Sequence, residues 1–329
     1  MVHRSLRATG AIVMSGALLV AGGVVSAQSP AASEPAAPVW QPPMKLLTAA
    51  TLSDECAKEN LPLKNPGRLT LSTDNPAYGP WWWGDPATQY PGEPEAGSGW
   101  ELGDPYSGEG YEAAVAYAVA DALGFAYEEV DWIPNAVFEQ AFAPGDKPFD
   151  WHMAQISINE ARAQAVDFSD PYFSVNQAIL AMSDNPIQDV TTIEGLKDFK
   201  LGAATATTSF QLIDTVIQPN QEAQVFNSNA DALQPLQSGT IDGLVVDLYT
   251  AFYMRDAQLE NWDTPDPEAA IVGVFPDSAQ TDTMGMVLQK DSPLTACVNE
   301  ALAAVVETGT LDAIYQQWIA SGQEIPFFE

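Results

Sequence analysis

Histidine, cysteine and basic side chains are all scarce in this chain. Only His3 and His152 occur among 329 residues, which leaves no Cys/His metal cluster and little room for a Ser-His-Asp catalytic arrangement. Lysine and arginine together number 12 against 44 aspartates and glutamates. A field of that sign repels phosphate backbones and anionic lipid, so nucleic acid and membrane surfaces are disfavoured as partners. It mildly favours cationic or zwitterionic ligands, although most of the surplus reads as solvated surface. Carboxylates are so abundant that a pair of them carries no catalytic signal. A membrane-spanning run is missing too: the longest apolar stretch, Ala11 to Val25, contains Gly16, Gly22 and Gly23 and falls short of the roughly 20 residues a spanning helix needs.

That stretch instead fits a secretory signal over residues 1–27, with His3, Arg4 and Arg7 as the basic start and Val25-Ser26-Ala27 as the cleavage site. No cysteine stands directly after the cleavage site, so a diffusible periplasmic protein is expected rather than a lipoprotein. Export permits a disulfide between the two cysteines, Cys56 and Cys297. The alternative is two buried free thiols.

Residues 28–54 are rich in Ala and Pro and read as a flexible leader. Beyond them strands and helices alternate. Arg68 to Asp74 and Ala126 to Trp132 read as strands flanking a helix over Tyr111 to Leu123, which Gly124 stops. Leu201 to Thr205 and Gly243 to Leu248 repeat the pattern, with a helix starting near Thr207, and two helices close the chain, the last capped by Thr310. Gly84 to Glu109 reads as a surface insertion, and Pro235 as an interruption of a short helix before Gly239. Alternation at this spacing indicates parallel α/β construction.

The stretch Ile156 to Tyr172, ISINEARAQAVDFSDPY, resembles the signature of the periplasmic solute-binding proteins of the polar-amino-acid family, which serve ABC importers. PGRLTLSTDNPAYGPWW, GYEAAVAYAVADALGF, LGAATATTSF, IDGLVVDLYTAFY and LTACVNEALAAVVETGTLDAIYQQWI resemble its other landmarks, in the correct order. The resemblance implies an α/β, two-lobed periplasmic binding protein fold of type II, each lobe a mostly parallel sheet flanked by helices, with two hinge crossings. Lobe 1 is expected over 55–175 plus 284–329 and lobe 2 over 176–283. It implies a monomer that captures an amino acid or similar small molecule and delivers it to a membrane permease, with no cofactor and no metal.

A free amino acid is a zwitterion, and burying it takes a cation with N–H donors at one end and an acid at the other. By the resemblance Arg162 grips the carboxylate, helped by Ser157 and by Thr207 and Thr208 at a helix start, while Asp247 takes the ammonium. Simpler roles stand beside these: a surface ion pair of Arg162 with Glu160 or Asp167, and plain helix caps for Thr207 and Asp247. Asn159 and Ala206 stand where the family has threonine and glycine. Asp74, Tyr78, Trp81, Trp83 and Gln155 are the candidates for the side-chain pocket, Asn159 for a further polar contact. On an extended strand at most two of Trp81, Trp82 and Trp83 can share one pocket. A dehydratase-like enzyme on the same fold, or a sensor serving a membrane signalling partner, are the rival functions.

Overall fold

The computed structural model describes residues 52–94, 99–259, 268–320 and 325–329. The expected signal segment and most of the expected leader lie outside the described residues. In chain order the elements begin β1 (Leu69–Asp74), α1 (Tyr111–Ala122), β2 (Val130–Asn135), β3 (Trp151–His152), α2 (Glu160–Ala163), β4 (Val166–Phe168) and β5 (Phe173–Met182). They continue with β6 (Leu201–Ala204), α3 (Thr208–Leu212), β7 (Gln224–Phe226), α4 (Leu233–Gln237), β8 (Gly243–Asp247) and α5 (Leu248–Tyr253). The last are β9 (Ala269–Val274), β10 (Thr281–Met284), β11 (Val287–Gln289), α6 (Leu294–Glu307) and α7 (Thr310–Trp318).

These strands form two sheets, ordered β2-β1-β3-β11-β4 and β10-β5-β8-β6-β7, with β9 also on β5. In the first sheet β11 alone runs against the others, and in the second β5 alone does. The sheets are therefore mostly parallel in strand direction, as two α/β lobes require. Both faces of the second sheet are covered. Ala178 and Leu180 of β5 and Leu244 and Val246 of β8 point into one apolar cluster, under α4 and α5. Ile179, Ala181 and Val245 point into the other, with Leu212 and Ile217. This period-two split is what a strand buried on both sides demands. In the first lobe α1 is almost wholly buried, packed by α6 and α7, which suits its alanine-rich sequence.

β5 and β10 are the crossing strands. They pair antiparallel over Phe173–Asn176, after which β5 joins β8. The far end of β10 returns to the first lobe, where Ile158 N donates to Thr283 O at 2.7 Å and Gly285 N to Ile156 O at 3.1 Å. The C-terminal residues depart from the expected lobe 1 range. Phe328 sits in the second-lobe core, and Phe328 N donates to Val274 O at 2.9 Å. The cause is a slot at Gly273, where any Cβ would lie 2.8 Å from the Phe328 ring.

Other expectations are corrected locally. The second strand starts at Val130, because Tyr127 stacks on Tyr117 at 3.9 Å and Glu129 folds back onto Ala126 N at 2.7 Å, which makes 127–129 a tight turn. The insertion is packed, with Tyr90, Trp100, Tyr106 and Asp104 buried, and the Tyr106 hydroxyl accepts from Trp132 N at 2.9 Å. Pro235 lies in the first turn of α4, where its missing N–H costs nothing. Gly309, at φ 73°, takes the cap position of α7 instead of Thr310. The cysteines form the expected disulfide, linking residues 241 apart.

Candidate functional site

Arg162 owes its position to Asn159, whose side chain caps α2 by accepting from Arg162 N at 2.9 Å. The arginine is 7% exposed. It donates to Ser157 O at 2.7 Å in its own lobe and to Ala206 O at 2.8 Å in the other. One face lies over the Phe142 ring at 4.3 Å. Burial lowers its pKa to about 10, against the charge of Asp282, so it stays protonated at neutral pH. The ion-pair alternative does not form: Asp167 pairs with Lys290 at 3.1 Å. Among the described residues the cation is met by carbonyls and ring faces, not by a paired carboxylate.

From the second lobe, Ala206 holds φ 58°, a left-handed conformation for which glycine is better suited. It aims its carbonyl at Arg162. Thr207 is a helix cap: its hydroxyl accepts from Phe210 N at 3.1 Å and donates to Ala204 O at 2.7 Å. The Thr208 hydroxyl lies 3.4 Å from that of Ser157, across the lobes, and donates to Asp282 at 2.9 Å. Asp282 is buried on a crossing strand and also accepts from Gln177 Nε2 at 2.6 Å. Sequence reading missed it; one acid among 44 gives no signal until β10 is known to face β5. Asp247 stands opposite Gln177 in the β5–β8 register. It caps α5, accepting from Thr250 N at 3.0 Å and Thr250 Oγ1 at 2.6 Å. Burial raises its pKa, with Asp282 adding to the rise. Arg162, Ser157, Thr208, Asp282, Gln177 and Asp247 thus form one polar line across both lobes.

The aromatic candidates divide. Tyr78 meets Tyr253 of α5 edge-on at 6.1 Å. Trp83, 40% exposed, meets the same ring at 5.9 Å. Trp81 is corrected: it is 1% exposed, packed against Tyr111, Phe173 and Tyr249, so protein rings occupy the faces expected for ligand. Residues 79–81 form a turn rather than a strand, which removes the alternation. The turn is fixed on α1, where Glu112 N donates to Trp81 O at 3.1 Å and a Cβ on Gly110 would lie 2.4 Å from that oxygen. Asn159 is corrected likewise, since its oxygen serves the α2 cap. Gln155 has φ 52°, and both its backbone and its side chain bond to Glu112.

Glu112 was not foreseen. It is 0% exposed yet accepts from Trp82 Nε1 at 2.9 Å, Gln155 N at 2.7 Å, Gln155 Nε2 and the Tyr172 hydroxyl. Burial raises its pKa to about 7 against those four donors.

Asp74 ends β1, half-buried, accepting from Asn135 Nδ2 at 2.8 Å, and burial pushes its carboxyl to about 6. His152 lies behind it, with Nε2 at 3.6 Å from Asp74 Oδ1 and Nδ1 at 3.0 Å from Ser72 Oγ. A serine, a histidine and an aspartate do align here, contrary to expectation. Ser72 and His152 are 2% and 0% exposed, so the pair is packed inside the protein. Burial, with a smaller effect of Lys147, lowers the His152 pKa to about 3. Its contribution to stability is complete above the unfolded value near 6.5 and is lost as pH falls towards about 3. In urea unfolding between pH 7 and 4 the wild type is therefore expected to lose stability relative to His152→Leu; a constant difference would contradict this.

Residues 102–321 match the profile of the bacterial extracellular solute-binding proteins, family 3. A probable histidine-binding protein of Neisseria gonorrhoeae is 26% identical over 214 residues, 64% of this chain and 75% of that protein. An ancestral arginine-binding protein, solved with arginine bound, superposes with TM-score 0.58 at 26% identity, covering 77% of this chain and 99% of the other. AncCDT-1, an ancestral amino-acid-binding protein described as a precursor of cyclohexadienyl dehydratase, superposes with TM-score 0.57 at 28% identity, covering 77% and 95%. The fold, the order of its landmarks and a profile spanning most of the described residues agree: the chain belongs to the bacterial extracellular solute-binding proteins, family 3.

Proposed function

We propose that this chain is the receptor of an ABC importer, capturing an amino acid or related small zwitterion between its lobes and delivering it to a membrane permease. The observation that carries this is Arg162: a buried guanidinium at the meeting of two lobes, hydrogen-bonded among the described residues to neutral carbonyls. An incoming carboxylate that takes over those donors gains two parallel charge-assisted bonds. Ser157 and Thr208 supply hydroxyls beside it, and the N-terminal turn begun by Thr207 and Thr208 supplies backbone donors. Asp247, with Asp282 behind it, takes the ammonium. Asp74, Tyr78, Trp83 and Gln155 face the ligand's side chain, and the one acid among them, Asp74, favours a cationic one. The lobes are assigned as 55–175 plus 284–320, and 176–283 plus 325–329.

The protein is secreted by its first 27 residues, works as a periplasmic monomer, and closes its lobes around the ligand as periplasmic binding proteins do. The relatives named for histidine and arginine binding support this, and the burial of Ser72 and His152 favours a receptor over an enzyme. The test is a thermal-shift screen of amino acids, polyamines, betaines and organic acids. At a hundredfold excess over Kd a true ligand stabilises by about 2.7 kcal/mol. At least one amino acid is expected to raise Tm; shifts only with molecules lacking a carboxylate would overturn the proposal.

A further inference from the structure

Glu112 lies outside the polar line that bridges the lobes, yet it ties together three segments that lead to it. Through Trp82 Nε1 it holds the aromatic turn that carries Tyr78 and Trp83. Through the Tyr172 hydroxyl it holds the residue that precedes the crossing strand β5. Through Gln155 N, at 2.7 Å, and Gln155 Nε2 it holds the loop between β3 and α2. At Gln155 the backbone has φ 52°, a conformation that a residue with a Cβ rarely adopts and that persists only where its surroundings enforce it. Two residues on, Ser157 presents its carbonyl to Arg162 Nη1 at 2.7 Å and its hydroxyl to Thr208 at 3.4 Å.

We propose that Glu112 is a positioning residue for ligand binding: its buried carboxylate locks Gln155 in the left-handed state that aims Ser157, and through it Arg162, at the ligand's carboxylate. A carboxylate suits this role because every group around it is a donor. A glutamine of the same shape must turn its own NH2 towards one of them and break the set. The assignment rests on the amino-acid reading above for its purpose, but its geometry does not.

The experiment uses the mature protein and four forms: wild type, Glu112→Gln, Gln155→Gly and the double variant. Each is titrated calorimetrically with L-arginine, L-histidine and L-glutamine, and the exchange of the residue 155 backbone amide is followed in wild type and Glu112→Gln. Glycine adopts φ 52° without an anchor. Glu112→Gln is therefore expected to weaken binding at least tenfold when Gln155 is present and threefold or less in the Gln155→Gly background, and to speed exchange of the Gln155 amide at least tenfold. An affinity unchanged within twofold, or an equal loss in both backgrounds, would overturn the proposal, because a merely structural role lowers Tm without that coupling. Should wild type bind none of the three, these amino acids are not its ligands and amide exchange alone decides: faster exchange sustains the positioning role, unchanged exchange removes it. If Glu112→Gln does not fold, Glu112→Asp, which keeps the charge but retracts it by one methylene, is judged by the same criteria.

Discussion

Arg162→Ala is expected to weaken amino-acid binding by about 3–5 kcal/mol, the usual cost of removing one partner from a buried charge pair. That is a loss of roughly 150-fold or more in Kd. Two terms contribute. The ligand carboxylate loses its bidentate partner, and it is left in a site walled by Phe138 and Phe142, whose rings lie 5.6 and 4.3 Å from the guanidinium carbon, with little water to replace the lost bonds. The variant is expected to fold, because the arginine's own bonds are to two carbonyls, whose second lone pairs tolerate a missing donor better than an N–H tolerates a missing acceptor. Calorimetric titration with the ligand found by thermal shift checks the loss, and circular dichroism checks the fold. An affinity within twofold of wild type would remove Arg162 from the site.

Removing the disulfide is the second large effect. Cys56 and Cys297 close a loop whose ends are 241 residues apart, and the chain-entropy account sets an upper value of about 5 kcal/mol for a loop of that length. The bridge fastens the segment before β1 to α6, and α6 with α7 closes over α1. Both cysteines are buried, at 4% and 6% exposure, so serine in their place adds the cost of hydroxyls in a packed seam. The Cys56→Ser, Cys297→Ser double variant is expected to lose several kcal/mol in urea unfolding while keeping its affinity where it remains folded, because neither residue contacts the polar line of the site. A loss below about 1 kcal/mol would mean that the unfolded chain is already restrained without the bridge.

Much of this architecture was legible in the sequence. Alternation at Leu69 and Leu71, the apolar run at Gly243–Asp247 and the helical spacing of Leu294, Val298, Leu302 and Val305 are local patterns, and local patterns survive folding. Arg162 stood out because its surroundings form an ordered motif, and its burial beside Ala206 O agrees with a place between the lobes. What was lost depends on contacts far apart in sequence. Glu112 sits in an alanine-rich helix and looks like a surface acid; only the approach of Trp82, Gln155 and Tyr172 turns it into a buried anchor. Asp282 and Gln177 meet because two crossing strands run side by side, across 105 residues of chain. The tryptophan run misled for a different reason: its pattern suits a strand, whereas contact with the start of α1 bends residues 79–81 into a turn. Asp247 illustrates a subtler limit. Its cap of α5 was foreseen as an alternative to ligand binding, yet a carboxylate with four lone-pair sites can serve a helix start and an ammonium together.

The central claim is that a cation from one lobe and an acid from the other hold opposite ends of one zwitterion. The most direct measurement is calorimetric titration of the wild type, Arg162→Ala and Asp247→Asn with the identified amino acid and with its decarboxylated amine. The account predicts that wild type prefers the amino acid by at least about a hundredfold, that Arg162→Ala loses most of this preference, and that Asp247→Asn weakens both ligands alike. A wild-type protein that binds the amine as tightly as the amino acid would contradict it.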